Sequence, residues 1–144
     1  MTKEYTLAGI RLGFAISSRD IIATLTKVRP PWNVNSIAQL AGAAALRYKE
    51  YLSACMVKIH ASANYLNREL SNLGFEIIPS DTNFFIFKVG SAKEFQRKLL
   101  REGFLVRDCT SFGLPEYIRI APRNRRECVL LIKAIKQIKE RGQR

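Results

Sequence analysis

The order of apolar runs and helix signals from Phe75 onward constrains the fold of this chain more than any other feature. Four short runs rich in Phe, Ile and Val predict β-strands at residues 75–79, 83–89, 104–107 and 117–123. A capping box at Ser91 and Glu94 predicts a helix between the second and third runs. The same pattern at Asn124 and Glu127 predicts a last helix. This order predicts a small α+β unit whose helices pack on one face of a sheet.

Residues 1–73 offer too few strands to build a sheet of their own, so they are expected to belong to something larger. The run Phe14–Ser17 predicts one strand, and the apolar spacing in Arg19–Lys27 predicts a helix. Two prolines in residues 29–35 predict an ordered loop, because each removes a backbone donor and restricts the residue before it.

Helical sequence follows that loop for more than thirty residues. Ser36 with Gln39 forms a capping box, and Gly74 is the predicted C-terminal cap. The polar cluster at 47–50 predicts a break, because the stretch is longer than a usual globular helix. We therefore predict two helices here.

The opening stretch TKEYTLAGIRLGF carries residue types that cofactor chemistry uses. A lysine amine can form a Schiff base with an aldehyde, and an arginine guanidinium can hold a phosphate through two hydrogen bonds. Lys3 and Arg11 lie eight residues apart, in a segment whose glycines allow a close approach to the backbone. On residue types alone, an ordinary exposed terminal lysine is the better explanation of Lys3.

The segment IRIAPR places two arginines on one side of a predicted strand. Side chains alternate between faces, so Arg119, Ala121 and Arg123 share one face and the apolar residues between them share the other. Two guanidinium groups on one face suit an anionic ligand. A solvated edge strand with outward arginines explains the pattern equally well.

Together these stretches resemble the fold-type I pyridoxal-phosphate enzymes, in the group that holds histidinol-phosphate aminotransferase and threonine-phosphate decarboxylase. The opening matches their lysine signature, which ends in Gly-x-Arg-x-Gly-Phe/Tyr, and RPPWNVNSIAQ, PSDTNFFIF and VRDCTSFGLPEYIRIAPR follow in the same order. The resemblance implies pyridoxal 5'-phosphate as the cofactor. It implies Lys3 as the Schiff-base lysine, with Arg11 and Thr2 on the cofactor phosphate.

The resemblance also implies residues that bind the substrate. Arg119 matches the arginine that holds the substrate α-carboxylate, and Arg107 matches one that meets a substrate phosphate. Asn35 and Asn83 are further candidates, although amides that satisfy nearby backbone groups explain both residues too. Arg123 departs from the histidinol-phosphate enzymes, where we expect a small residue, and the resemblance assigns it no role.

The implied fold class is α/β, as the C-terminal part of a fold-type I pyridoxal-phosphate-dependent transferase. Residues 1–50 would be a remnant of the cofactor-binding large domain, 51–73 a connecting helix, and 74–144 an α+β small domain. Groups that contact the cofactor ring are expected before Lys3 in this family. We therefore expect a truncated or split reading frame in which Met1 is an internal methionine, and whether the chain is itself an enzyme is left open.

The expected activity is pyridoxal-phosphate chemistry on a small phosphorylated amino acid, in which the protein chooses the bond that breaks. PWNVN followed by SIAQLAG resembles threonine-phosphate decarboxylase, of cobalamin biosynthesis, more than the alternative, histidinol-phosphate aminotransferase, of histidine biosynthesis. The expected protein partner is a second copy or a separate N-terminal half. A hypothesis of another class, a non-catalytic fragment that acts as an interaction module, stays open.

Composition bears on the remaining classes of function. The net charge of +12 suggests a polyanion partner, but the basic residues are spread along the chain at helical spacing, so we predict no nucleic-acid binding. No long uncharged apolar stretch occurs, which predicts no membrane partner. Three cysteines without CxxC spacing predict reduced thiols in a cytoplasm, and a single histidine, His60, predicts no metal site.

Overall fold

The computed structural model describes Met1 and residues 5–141. The chain divides into two compact units, Met1–Cys55 and a second that begins at Met56. The elements in chain order are α1 (Arg19–Val28), α2 (Ser36–Ala45), α3 (Lys49–Asn72), β1 (Ile77–Ile78), β2 (Phe85–Lys88), α4 (Ala92–Arg101), β3 (Arg107–Asp108), a 3-10 turn (Thr110–Phe112), β4 (Tyr117–Ile120) and α5 (Arg125–Arg141).

Helix α1 follows the prediction closely, but the strand predicted just before it is wrong. Residues 14–17 take part in no sheet ladder within the described part of the chain. Backbone groups in a strand need a hydrogen-bonded neighbour, and all the paired strands come after α3. A short apolar run therefore did not suffice to predict a strand here.

Helix α2 is capped by Asn35, one residue before the predicted cap. Asn35 Oδ1 accepts a hydrogen bond from the backbone N–H of Ala38 at 2.8 Å. This is the usual N-cap arrangement, in which a side-chain oxygen satisfies a free donor of the first turn. Gln39 donates instead to the carbonyl of Val34 at 3.1 Å. The helix is confirmed, and the capping box at Ser36 is wrong by one residue.

The buried residues of α2 are small, and Leu12 lies against one of them, Gly42. Ala38 and Gly42 are the buried residues of this helix. A Cβ atom at Gly42 would collide with the side chain of Leu12. The glycine therefore allows the segment after the Arg11 turn to approach the helix backbone.

The predicted break at 47–50 is confirmed, because α2 ends at Ala45 and α3 begins at Lys49. Helix α3 then continues for 24 residues. Gly74 follows it with a φ of +81°, a left-handed conformation that glycine adopts without steric cost. The predicted cap at Gly74 is therefore confirmed.

The four strands form one antiparallel sheet in the order β1-β2-β4-β3. The two central strands pair with Phe87 opposite Ile118 and Ile86 opposite Arg119. Strand β3 is at the edge, and its Arg107 lies opposite Arg119. Residues far apart in the sequence are thus set side by side by the register of β3 on β4.

The hydrophobic core lies between the sheet and helices α3, α4 and α5. Alternate residues of the central strands are buried, namely Phe85 and Phe87 on β2 and Ile118 and Ile120 on β4. Side chains of a strand alternate between faces, so Arg119 lies on the other face of the sheet. The predicted packing of helices on one sheet face is confirmed.

All four strands are shorter than predicted, and for two of them the structure shows a local reason. Strand β3 begins only at Arg107, because the backbone N–H of Phe104 donates to the carbonyl of Leu99 and so closes α4. Strand β4 ends at Ile120, two residues before Pro122, which has no N–H for a ladder. Arg123 therefore lies beyond the strand that was predicted to carry it.

The capping signals of α4 and α5 are confirmed. Ser91 Oγ accepts from the backbone N–H of Glu94 at 3.4 Å. Asn124 Oδ1 accepts from the backbone N–H of Glu127 at 2.9 Å, and its amide donates to the Glu127 carboxylate at 2.6 Å. Both helices thus begin where a side chain satisfies a backbone donor of the first turn.

Candidate active site

The turn that carries Arg11 lies in the first unit. Arg11 has a φ of +57°, which is uncommon for a residue with a side chain. Its Nη1 donates to the carbonyl of Ala8 at 3.0 Å, a bond that uses one of the five N–H donors of a guanidinium. The side chain is exposed, so an anion can reach it. The other predicted cofactor residues, Thr2 and Lys3, lie outside the described residues.

Asn35 connects that turn to α2. While its Oδ1 caps the helix, its Nδ2 lies 3.5 Å from the carbonyl oxygen of Ile10. The structure therefore brings Asn35 next to the residue that precedes Arg11. Both hydrogen bonds of the Asn35 amide go to backbone groups, as the alternative interpretation of this residue predicted.

Arg107 and Arg119 lie side by side in the second unit. They are Cα partners across β3 and β4, and directly opposite side chains of an antiparallel pair have Cβ atoms about 4.5–5.5 Å apart. Their Cζ atoms lie 5.3 and 5.9 Å from the ring centroid of Phe112. Arg119 also lies over the ring of Phe84, at 4.9 Å. The two predicted substrate arginines thus share an aromatic neighbour, the ring of Phe112.

A tight turn between β3 and β4 places Phe112. Asp108 Oδ1 accepts from the backbone N–H of Thr110 at 2.8 Å and from its hydroxyl at 2.6 Å. The two bonds hold the pKa of the Asp108 carboxyl below its ordinary value, and the bond from the Thr110 hydroxyl has the larger effect. Gly113 ends the turn with a φ of +77°. Ser111 within it accepts a hydrogen bond from Arg107 Nη2 at 2.9 Å.

A cleft of about 510 Å³ lies beside this arginine pair. Arg107, Arg119 and Arg123 line it together with one carboxylate, that of Glu127. Most of its other walls are apolar, and they include Leu105, which is 81% exposed. An apolar cleft with a few convergent charged groups is the usual form of a small-ligand site. The excess of positive charge favours an anionic ligand.

Arg123 reaches the cleft from the start of α5. Its Nε lies 3.2 Å from Glu127 Oε2, in a pair one helical turn apart. The pair is largely exposed, and such surface ion pairs contribute little to stability. Arg123 and Arg119 line the same cleft, although Arg123 does so from outside the strand.

Asn83 is half-buried and directly precedes Phe84, the aromatic residue over Arg119. Sequence reasoning missed the contacts of Phe84, Phe112 and Ser111 with the two arginines. The available signal was the aromatic residue in each of two motifs, NFFIF and TSFGL. An aromatic residue near a strand end is usually counted as core, so the signal was weak.

A buried thiol lies close to the arginine pair. Burial raises the pKa of Cys109 above its ordinary value, while the positive charge of Arg119 acts in the opposite direction. Burial has the larger effect, so the thiol is neutral at pH 7. Cys109 therefore contributes no charge and no activated nucleophile to the site.

Two kinds of feature are absent from the part of the chain that the structure describes. No helix there is both long and apolar enough to cross a membrane. Nor do those residues contain a group of three or more His, Cys, Asp or Glu side chains arranged to hold a metal ion.

Comparison with known proteins gives a family match over almost the whole chain. The model of the family "Aminotransferase class I and II" matches residues 1–135. A histidinol-phosphate aminotransferase of Methylobacillus flagellatus is 35% identical over 138 residues. That match covers 96% of this chain and 38% of the relative. The chain therefore spans about two fifths of the length of the relative it matches.

Solved structures agree with the sequence comparison. L-threonine-O-3-phosphate decarboxylase from Porphyromonas gingivalis superposes with a TM-score of 0.82 at 26% identity, over 96% of this chain and 45% of that one. Histidinol-phosphate aminotransferase from Sinorhizobium meliloti, in complex with pyridoxal-5'-phosphate, superposes with a TM-score of 0.71 at 26% identity. That match covers 94% of this chain and 40% of the other. The predicted fold class, part of a fold-type I aminotransferase, is confirmed.

Proposed function

The chain belongs to the aminotransferase class I and II family, and on that premise we propose that it is the part of a pyridoxal-phosphate-dependent enzyme that binds a phosphorylated amino acid. The observation that carries the proposal is the pairing of Arg107 with Arg119 beside an apolar cleft. The first candidate activity is the decarboxylation of threonine phosphate. The chain covers about two fifths of the length of its relatives, so the activity of a whole enzyme is part of this proposal.

Two guanidinium groups side by side suit a substrate with two anionic groups. Threonine phosphate carries an α-carboxylate and a phosphate close together, and a guanidinium can bind either through two parallel hydrogen bonds. In the proposal Arg119 binds the carboxylate and Arg107 the phosphate. Their cation–π contacts with Phe84 and Phe112 consume no N–H donor, so every donor except the one that Arg107 gives to Ser111 stays available to the substrate.

The residues of the first unit fit the phosphate of pyridoxal phosphate. Arg11 offers an exposed guanidinium on a tight turn between two glycines, which suits a phosphate close to the backbone. The family motif adds Thr2 as a second phosphate ligand and Lys3 as the amine that holds the cofactor aldehyde. When bound, the cofactor supplies an electron sink for the pair of electrons left by the broken bond.

The residues of this chain would also choose which bond breaks. By fixing the α-carboxylate, Arg119 would hold the substrate in one orientation, and that orientation would decide whether the bond to the carboxylate is the one that breaks. Lys3 then needs only to deliver a proton to the substrate. In a transaminase the same amine would instead remove the proton from the α-carbon and carry it to the cofactor.

Histidinol-phosphate aminotransferase is the second candidate, and the name of the Methylobacillus flagellatus relative favours it. Histidinol phosphate carries a phosphate but no carboxylate, so Arg107 would bind the phosphate in this case. Arg119 would then serve the carboxylate of the amino acid that exchanges its amino group. The sequence PWNVNSIAQLAG, around the loop that ends at Asn35, supports the decarboxylase instead.

The proposal assigns parts of the larger enzyme to parts of the chain. Residues 1–50 are the remnant of a cofactor-binding large domain, 51–73 a connecting helix, and 74–144 the small domain. Asn35 and Asn83 remain proposed substrate contacts. The proposed protein partner is a second copy of the chain or a separate N-terminal half.

Trapping of the cofactor tests the proposal. Pyridoxal phosphate is added to the full chain, the linkage to lysine is reduced with borohydride, and the labelled peptides are mapped by mass spectrometry. Preferential labelling of Lys3, lost in Lys3→Ala and weakened in Arg11→Ala, is the expected result. Uniform labelling of exposed lysines, of which Lys93 is one, would instead indicate a chain without a cofactor site of its own.

A substrate comparison then separates the two candidate reactions. Where Lys3 is labelled, release of carbon dioxide from threonine phosphate indicates the decarboxylase. Loss of the amino group of histidinol phosphate only when an α-keto acid is present indicates the aminotransferase. Labelling without either reaction would favour the non-catalytic interaction module.

A further inference from the structure

We propose that Phe112 is the positioning residue of the arginine pair: its ring holds the Arg107 and Arg119 guanidinium groups next to each other so that they bind one phosphate-bearing ligand together. The inference rests on the proposed function, because it assigns the pair to the phosphorylated substrate. The inference goes beyond the proposed function because it names the residue that sets the geometry of the arginine pair. Nothing in the sequence motifs assigned Phe112 this role.

The first observation is where the ring lies. Phe112 is 59% exposed, so it is not part of the hydrophobic core. Its ring nevertheless contacts both guanidinium groups, with Cζ distances of 5.3 Å to Arg107 and 5.9 Å to Arg119. Both values are within the range of about 6 Å in which a ring face attracts a cation. The exposed ring is therefore explained by the two cations.

The second observation is the charge of the pair. Like charges directly opposite each other on neighbouring strands are unfavourable, so two free arginine side chains would turn apart into solvent. A ring that attracts both cations keeps them near one another in the absence of ligand. This reduces the ordering that binding would otherwise require, and preorganisation of this kind raises affinity.

The third observation is the rigidity of the turn that carries the ring. Asp108 holds Thr110 through two hydrogen bonds, and Gly113 fixes the return of the chain into β4. Ser111 accepts one hydrogen bond from Arg107, which directs that side chain along the turn. The turn thus sets the position of the ring and of one guanidinium relative to β4.

Binding of inorganic phosphate to the full chain tests the inference. The side-chain Nε–Hε resonances of arginine are followed by NMR while phosphate is added at constant ionic strength. The variants are Phe112→Leu, which keeps an apolar side chain without a π face, and Phe112→Tyr, which keeps the ring. Leu100→Ala is the matched control, because Leu100 is 56% exposed, close to the exposure of Phe112, and lies on α4 outside the residues that line the cleft.

We expect Phe112→Leu to weaken phosphate binding about fivefold, as the loss of one or two exposed cation–π contacts implies. Phe112→Tyr and Leu100→Ala should bind within about twofold of the unchanged chain, and none of the three should alter the melting temperature appreciably. Rescue by tyrosine is the readout that a merely structural role would not give. Equal affinity of Phe112→Leu and the unchanged chain, or failure of Phe112→Tyr to restore binding, overturns the inference.

The outcome is independent of the cofactor experiment. Phosphate binding at the pair is followed through the Nε–Hε resonances of Arg107 and Arg119 in the second unit, whereas borohydride labelling reports on Lys3 in the first. Weaker phosphate binding in Phe112→Leu together with no preferential labelling of Lys3 would uphold the inference and reject the proposed function. Labelling of Lys3 with no effect of Phe112→Leu would do the reverse.

Discussion

Arg107 and Arg119 are Cα partners across β3 and β4, and their guanidinium groups lie over the same ring, that of Phe112. Two cations in this arrangement repel each other until an anion lies between them. Without an anion, the contact between the two guanidinium groups is therefore not itself stabilising. It presents a set of directed N–H donors whose geometry matches carboxylate and phosphate groups.

Phosphate should stabilise the folded chain through this pair. A ligand that binds only the folded state stabilises it by about 2.7 kcal/mol at one hundred times its Kd. We expect phosphate to raise the melting temperature more than chloride of equal ionic strength does. Arg119→Met should abolish the difference, whereas Arg97→Met, on the exposed side of α4, should retain it. An equal shift in both variants would show that phosphate acts elsewhere on the chain than at Arg119.

Asn35→Ala should loosen the start of α2. The substitution removes the acceptor of the Ala38 N–H, and loss of an N-cap costs about 1 kcal/mol. Hydrogen exchange at Ala38 should therefore accelerate about fivefold. Asn35→Ser supplies another cap acceptor and should restore most of the protection. Unchanged exchange in Asn35→Ala would leave the substrate contact as the main role of Asn35.

Asp108→Asn should remove part of the acid sensitivity of the second unit. The folded-state pKa of Asp108 is lowered, mainly by its hydrogen bonds to Thr110. The stabilising effect is therefore present above the ordinary carboxyl pKa, about 3.9, and is lost as the pH falls through the lower folded value. The free energy of unfolding, measured in urea, should therefore fall less between about pH 5 and pH 2 in Asp108→Asn than in the unchanged chain. Asp81→Asn, the same change in an exposed loop, is the control.

The three thiols should differ in reactivity. Cys109 and Cys128 are each 2% exposed, whereas Cys55 is half-buried on α3. Burial also raises the pKa of Cys109, and the thiolate is the reactive form. Iodoacetamide at pH 8 should therefore modify Cys55 well before the other two, as mass spectrometry of the digested chain would record. Early modification of Cys109 would contradict the buried position.

Phe87→Ala should destabilise the second unit strongly. Phe87 is fully buried, and its ring packs edge-on against Phe75 at 5.4 Å and Phe95 at 6.2 Å between centroids. Loss of a buried phenylalanine costs about 3–5 kcal/mol. Phe87→Leu fills most of the space and should cost less than half as much. Denaturant unfolding followed by tyrosine fluorescence would measure both, and similar losses for the two variants would argue against a cavity as the cause.

Much of the fold could be predicted because its signals are local. Ser91 and Asn124 each lie three residues before the glutamate of a capping box, and both begin helices as expected. Gly74 ends α3 because a left-handed residue is needed there. A backbone donor and the side chain that satisfies it are close in sequence in each case, so the pattern is visible in the chain itself.

Strand limits and the lone strand at 14–17 could not be predicted in the same way. A strand exists only where a second strand supplies hydrogen-bond partners, and residues 14–17 have none in the described chain. The length of β3 was decided by competition, since the N–H of Phe104 closes α4 instead. Such outcomes depend on neighbours that are distant in sequence.

The sequence by itself determined the family, the helix starts and the residue types of the proposed site, including Arg11, Arg107 and Arg119. Only the tertiary structure decided that Arg107 and Arg119 become neighbours and that Phe112 contacts both. The reason is that the register of two strands is set by the turn that joins them and by the burial of Ile118 and its neighbours in the core. The sequence specifies the residue types, but the distances between side chains depend on this packing.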